Sequence, residues 1–195
     1  MTNEDPGWRP AFRIAWWAVI PLLDFFARRR IKRTSANELI ALRAQFLTAV
    51  SPLFLFLAIL PAVASNSRPD DVPWLLFFIA GYGVLCLANI VWLRRRPLMT
   101  KTPQTLAASY KAVMFIGIGC ADSVALFGFV GIFIGGTVWL YLLGLAFALP
   151  GLALIAPTRR DIERRQQQIA AQGSSLSLLE ALMAPLSRGS RDEAP

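Results

Sequence analysis

The stretch PWLLFFIAGYGVLCLANIVWLRRR, residues 73–96, decides the fold. Before its closing arginines it carries no charge, and its apolar length of about twenty residues matches what an α-helix needs to cross a bilayer. Trp74 and Trp92 stand near its two ends, where indole rings sit at headgroup level, and Arg94, Arg95 and Arg96 stop it. Residues 73–93 therefore read as a transmembrane helix.

Working outward, three more apolar runs occur at about 44–64, 112–134 and 137–155. The chain is 55% hydrophobic, and its apolar residues gather in these runs instead of at the spacing of a soluble core. Nineteen of the twenty Lys and Arg residues lie on one side of the four runs, and only Arg68 lies on the other. Cytoplasmic loops carry the excess of basic residues, so both termini are expected in the cytoplasm and the protein in the cytoplasmic (inner) membrane. The fold class is all-α: a polytopic membrane protein with four transmembrane helices, an N-terminal amphipathic interfacial helix and a cytoplasmic C-terminal helix. Residues 1–34 form the N-terminal part, 35–156 the bundle and 157–195 a basic tail.

Local signals place the helix ends. Ser35-Ala-Asn-Glu38 has the form of a capping box and should start the first span, which contains Pro52, a kink site, and Pro61. Thr102-Pro103 is an N-cap and first-turn pair, so the third helix should run from 103 to 134. It would be about 48 Å long, and its first two turns should project below the membrane. Gly135-Gly136 predicts a tight hairpin that makes the third and fourth helices antiparallel, and Pro150 a bend in the fourth. Thr158 should cap a charged helix through Ile169 that ends near Gly173.

Residues 11–27 are amphipathic, with an apolar core too short to span. They read as an interfacial helix anchored by Trp16 and Trp17 and followed by Arg28, Arg29 and Arg30; a re-entrant or docking segment is the competing reading. Glu4 and Asp5, and the lack of a small-residue cleavage site, speak against a removable signal peptide. Near the other end, Leu176, Leu179, Leu182, Met183 and Leu186 form an apolar face expected to contact the membrane surface or a partner.

A net charge of +8 and a pI near 10.5 would suggest nucleic acid in a soluble protein. Here the basic residues flank spans, so their expected partners are anionic lipid headgroups, at about 1 kcal/mol per contact near the surface, and other membrane subunits. Cys86 and Cys120 lie in apolar runs as small hydrophobes, and the chain has no His and no Cys-x-x-Cys pair, so neither metal nor cofactor is expected. Hydrolysis or lipid transfer would need a base or metal cluster, so no enzyme is expected.

The third run carries the one constellation with chemistry. Gly117, Ala121, Ala125, Gly128, Gly131 and Gly135 recur at three- and four-residue spacing, a stripe that lets helix backbones approach closely. Asp122 sits near the midpoint of that span, where a carboxylate costs roughly 2.5 to 3.5 kcal/mol even on a lenient scale. Protonation, a hydroxyl partner for which Tyr82 is the best choice within the chain, or a group from another subunit would compensate it.

The stretch Cys120-Ala-Asp122-Ser-Val-Ala-Leu-Phe-Gly128-Phe-Val resembles the carboxylate helix of the proteolipid c subunits of rotary ATP synthases, over about residues 112 to 135. The resemblance implies that Asp122 matches the proton- or sodium-carrying carboxylate of that family. The leading expectation is nevertheless a non-enzymatic accessory or stabilising subunit that binds laterally to a larger transport or cell-envelope complex, with a lipid transporter as preferred host. The alternative is a homo-oligomeric proton or cation pathway through Asp122. Arg outnumbers Lys by 17 to 3 and Ala is frequent, which suits a bacterial gene of high GC content.

Overall fold

The computed structural model describes residues 5–15, 37–64, 73–135 and 137–183. Its regular elements are the helices α1 (Arg9–Ala15), α2 (Glu38–Ala64), α3 (Pro73–Arg95), α4 (Pro103–Gly135), α5 (Trp139–Ile155), α6 (Arg159–Ala171) and α7 (Leu178–Met183). Among the described residues three helices are long and apolar enough to cross a membrane: Glu38–Val63, Pro73–Arg95 and Pro103–Ile134. The 17 residues of α5 span about 25 Å, short of a full crossing. It continues through a 59° bend into α6, and counting that pair as one span raises the number to four.

The starts of α2 and α4 and the ends of α3 and α5 meet at one end of the bundle. Lys111 of α4 pairs with Glu38 of α2, and Arg43 of α2 donates to the carbonyl of Pro157 just beyond α5. Arg94 of α3 reaches Asp161 of α6. This basic end gathers most of the described charges, while large apolar side chains such as Phe77, Leu85, Ile116 and Phe133 face outward along the helices.

The most extensive packing is between α4 and α5, with α3 against both. On α2 the prolines remove backbone donors inside the helix. Pro52 cannot donate to the carbonyl of Thr48, and the Ser51 hydroxyl donates to it instead at 2.8 Å, meeting the demand that every backbone group be satisfied within lipid. An aromatic joint ties α2 to the rest: Phe56 stacks on Phe129 at 4.5 Å, and Phe129 meets Tyr141 edge-on at 5.7 Å. The Tyr141 hydroxyl donates to the carbonyl of Leu53 at 2.7 Å.

Of the two expectations about the ends, the N-terminal one lies mostly outside the described residues and the C-terminal one is corrected. The N-terminal helix begins at Arg9 and docks on the chain itself: Ala11 and Ala15 are buried against Ala41 and Ala44, because four methyl side chains let α1 and α2 approach closely. Trp16, Trp17 and the rest of the expected interfacial helix, with Ser35 and Arg68, lie outside the described residues. The C-terminal apolar face is internal: Leu182 is at 0% exposure, Leu176, Leu179 and Met183 are half-buried against the same core, and Leu186 lies outside the described residues. The first turns of α4 project far enough to bury it, and α7 packs on α4, α2 and α6.

The return to α7 is well specified. Thr158 caps α6 by accepting from the Asp161 amide at 3.3 Å, and Gly173 ends it at φ 77°, a left-handed conformation suited to glycine. The Gln166 side chain then donates to the Leu176 carbonyl at 2.9 Å and accepts from the Leu178 amide at 2.7 Å.

Candidate functional site

The small-residue stripe of α4 faces α5. Ala121 and Ala125 are buried, and a Cβ placed on Gly128 would lie 2.6 Å from the Leu140 carbonyl oxygen and 3.1 Å from the Tyr141 Cα. The approach is reciprocal, since a Cβ on Gly144 of α5 would lie 2.8 Å from the Val124 carbonyl oxygen. Gly117 is filled by Ile155, and Gly131 meets Leu140 and Leu75. Gly135 ends α4, with its surroundings outside the described residues. The close approach expected of this stripe is made within the chain, by the hairpin partner α5.

Asp122 sits one step around the helix from that stripe, on the side toward α2. Lys111 and Glu38, and Phe56 and Phe129, are each 73 residues apart, so α2 and α4 run parallel in one register and residue 49 lies level with Asp122. Position 49 is an alanine and offers no side-chain donor. The expected hydroxyl partner goes elsewhere, because Tyr82 lies 3.0 Å from Ser123 Oγ, about 100° further around α4. Asp122 Oδ1 is buried and meets no hydrogen-bond donor among the described residues.

The densest polar chemistry lies at the basic end, where Arg94 and Arg96 were expected at the membrane surface but Arg43, Tyr110, Asp161 and Arg165 carry no signal of their own in the sequence. Arg43 is 1% exposed and makes four hydrogen bonds. It donates from Nε to the Pro157 carbonyl at 3.1 Å, and from its two Nη atoms to the Asp5 carboxylate at 2.5 and 2.7 Å and to the Gly7 carbonyl at 2.8 Å. Its guanidinium also lies 5.2 Å from the Trp8 ring centroid. The Arg43 hydrogen bond holds the Asp5 carboxyl below the usual carboxylate range, the Gly7 amide adds to that, and partial burial opposes both.

A second knot centres on Asp161, which is buried in the first turn of α6. Arg94 donates to its Oδ1 at 2.8 Å and the Tyr110 hydroxyl to its Oδ2 at 3.2 Å. One helical turn on, buried Arg165 donates to the Arg96 carbonyl at 3.3 Å. These bonds cross-link α3, α4 and α6, as Arg43 cross-links α2, the N-terminal segment and the α5–α6 corner. A charge at the end of a span reads in sequence as a headgroup anchor, so the signal for Arg94 was present but pointed outward.

Of the predicted membrane-surface arginines, Arg94 is turned inward, Arg95 is exposed, and Arg96 stacks on Trp92 at 3.7 Å. Arg28, Arg29 and Arg30 lie outside the described residues. Among the described residues no group of three or more Cys, Asp or Glu side chains is placed to hold a metal ion.

No protein-family model, curated protein or solved structure matches this chain.

Proposed function

We propose that this chain is a non-enzymatic accessory or stabilising subunit of a larger membrane transport or cell-envelope complex, residing in the cytoplasmic membrane with both ends in the cytoplasm. The observation that carries the reading is Asp122 Oδ1, buried in a span with no donor from the described residues. A polar group left so within a membrane costs several kcal/mol, and a donor from a neighbouring subunit removes that cost. The seam between α2 and α4 is where such a donor would enter. Beyond Leu53 most of the α2 side chains are exposed, including Phe54, Leu57 and Ile59, so the outer half of α2 has apolar surface for a lateral partner. A lipid transporter is the preferred host, because the turn between α4 and α5 is too short to reach beyond the bilayer.

The same orphaned oxygen also favours a second reading, a homo-oligomeric proton or cation pathway in which Asp122 carries the ion, as the resemblance to the proteolipid carboxylate helix implies. Substitution Asp122→Asn separates the two. The accessory reading expects loss of co-purifying subunits and no proton flux in vesicles of the wild-type chain. Intact assembly with flux abolished would overturn it in favour of ion carriage.

A further inference from the structure

Two adjoining depressions mark the outer side of α3 near the basic end. One, of about 230 Å³, lies between the end of α3 and α6, and Arg94, Arg95, Arg164 and Arg165 surround it. The other is a shallow, open groove lined by α3 alone, running up its surface past Val84, Leu87, Ala88 and Trp92. They share Val91 and Arg95, so the arginine-lined hollow opens directly into the apolar groove.

We infer that this composite groove binds one phospholipid with an anionic headgroup, its phosphate among the arginines and an acyl chain along α3. The charge balance supports that occupant. The one acid at the hollow, Asp161, already holds Arg94 and accepts from Tyr110, so its charge is directed inward. Arg95 and Arg164 are exposed and make no ion pair among the described residues. The planar guanidinium groups of Arg95 and Arg164 at this hollow suit phosphate oxygens, which such groups bind through paired N–H donors.

The groove fits the other half of the lipid. Positions 84, 87, 88, 91, 92 and 95 form a single face of α3, about 16 Å long from first to last. Its wall is almost wholly apolar, and Trp92, under the Arg96 guanidinium, marks the headgroup level. A free phosphate would use only the hollow and leave the groove unfilled. A zwitterionic lipid would place its own cation against Arg95 and Arg164, whose charges no acid among the described residues pairs. The anionic phospholipid matches both parts, and basic pockets of this kind between membrane helices bind such headgroups.

The test is lipid retention by the full-length protein in mild detergent, followed by native mass spectrometry after equilibration with phosphatidylglycerol or phosphatidylcholine. Wild type should retain phosphatidylglycerol at least tenfold better than phosphatidylcholine. The doubly exposed change Arg95→Gln with Arg164→Gln should lower its retention to the phosphatidylcholine level. Val91→Trp, which keeps every arginine but blocks the groove, should lower phosphatidylglycerol retention as well. Equal retention of the two lipids by wild type would overturn the inference. So would undiminished phosphatidylglycerol binding in either variant, or complete displacement by millimolar inorganic phosphate, which would assign the hollow to the free anion.

Discussion

Replacing Gly128 with alanine should separate α4 from α5. The added Cβ would sit 2.6 Å from the Leu140 carbonyl oxygen and 3.1 Å from the Tyr141 Cα, and both are backbone atoms that no rotamer change can move. The helices must part by most of an ångström, which also strains the Ala125–Gly144 approach next to it. Overpacking of this kind costs about 1–3 kcal/mol, while glycine to alanine in a helix returns about 1 kcal/mol through propensity. Gly119→Ala supplies the reference, since a Cβ there meets nothing within 4 Å on the same helix. Subtracting one variant from the other removes the propensity term, so Gly128→Ala should be less stable than Gly119→Ala by about 1–3 kcal/mol. Denaturation in mild detergent, followed by circular dichroism, measures that difference. Equal stability of the two variants would refute the claim that the stripe is consumed inside the chain.

Three further outcomes follow from the basic end. Asp161→Asn should destabilise the bundle by about 3 kcal/mol, the low end for a broken buried pair because Arg94 remains partly exposed, and thermal denaturation in detergent checks it. Protonation of Asp5 should release the N-terminal segment. Its carboxyl is held below its ordinary value, so the stabilisation is full above about pH 4 and is lost as pH falls through the lowered folded value; the fluorescence of Trp8 in a single-tryptophan variant should stay constant from pH 7 to about pH 4 and change below that. Leu182→Ala should cost about 2–3 kcal/mol, since the side chain is fully buried; an unchanged melting temperature would return α7 to the role of a surface contact.

The bundle itself was legible because its signals are local. The tryptophans and arginines around residues 73–96 bounded α3 to within two residues, and Thr102-Pro103 and Thr158 marked the starts of α4 and α6. Partner choice was not legible, because it depends on groups far apart in sequence. A stripe of glycine and alanine announces a close approach without saying whose backbone approaches, and here it belongs to α5. Tyr82 stands at the right depth for Asp122, yet one residue's rotation along α4 gives its hydroxyl to Ser123. The partner of Arg43 was hidden for the same reason, since Asp5 lies 38 residues earlier in the chain. The apolar face of 176–183 was read as outward because no soluble core was foreseen, whereas the projecting turns of α4 provide one.

The most direct test of the accessory role is mild-detergent purification of the tagged, full-length protein at native expression level, with intact mass and identification of co-purifying chains. An accessory subunit should be recovered in a fixed-composition assembly larger than the chain, containing other membrane subunits and lost on Asp122→Asn. Recovery as a monomer or a pure homo-oligomer would contradict it.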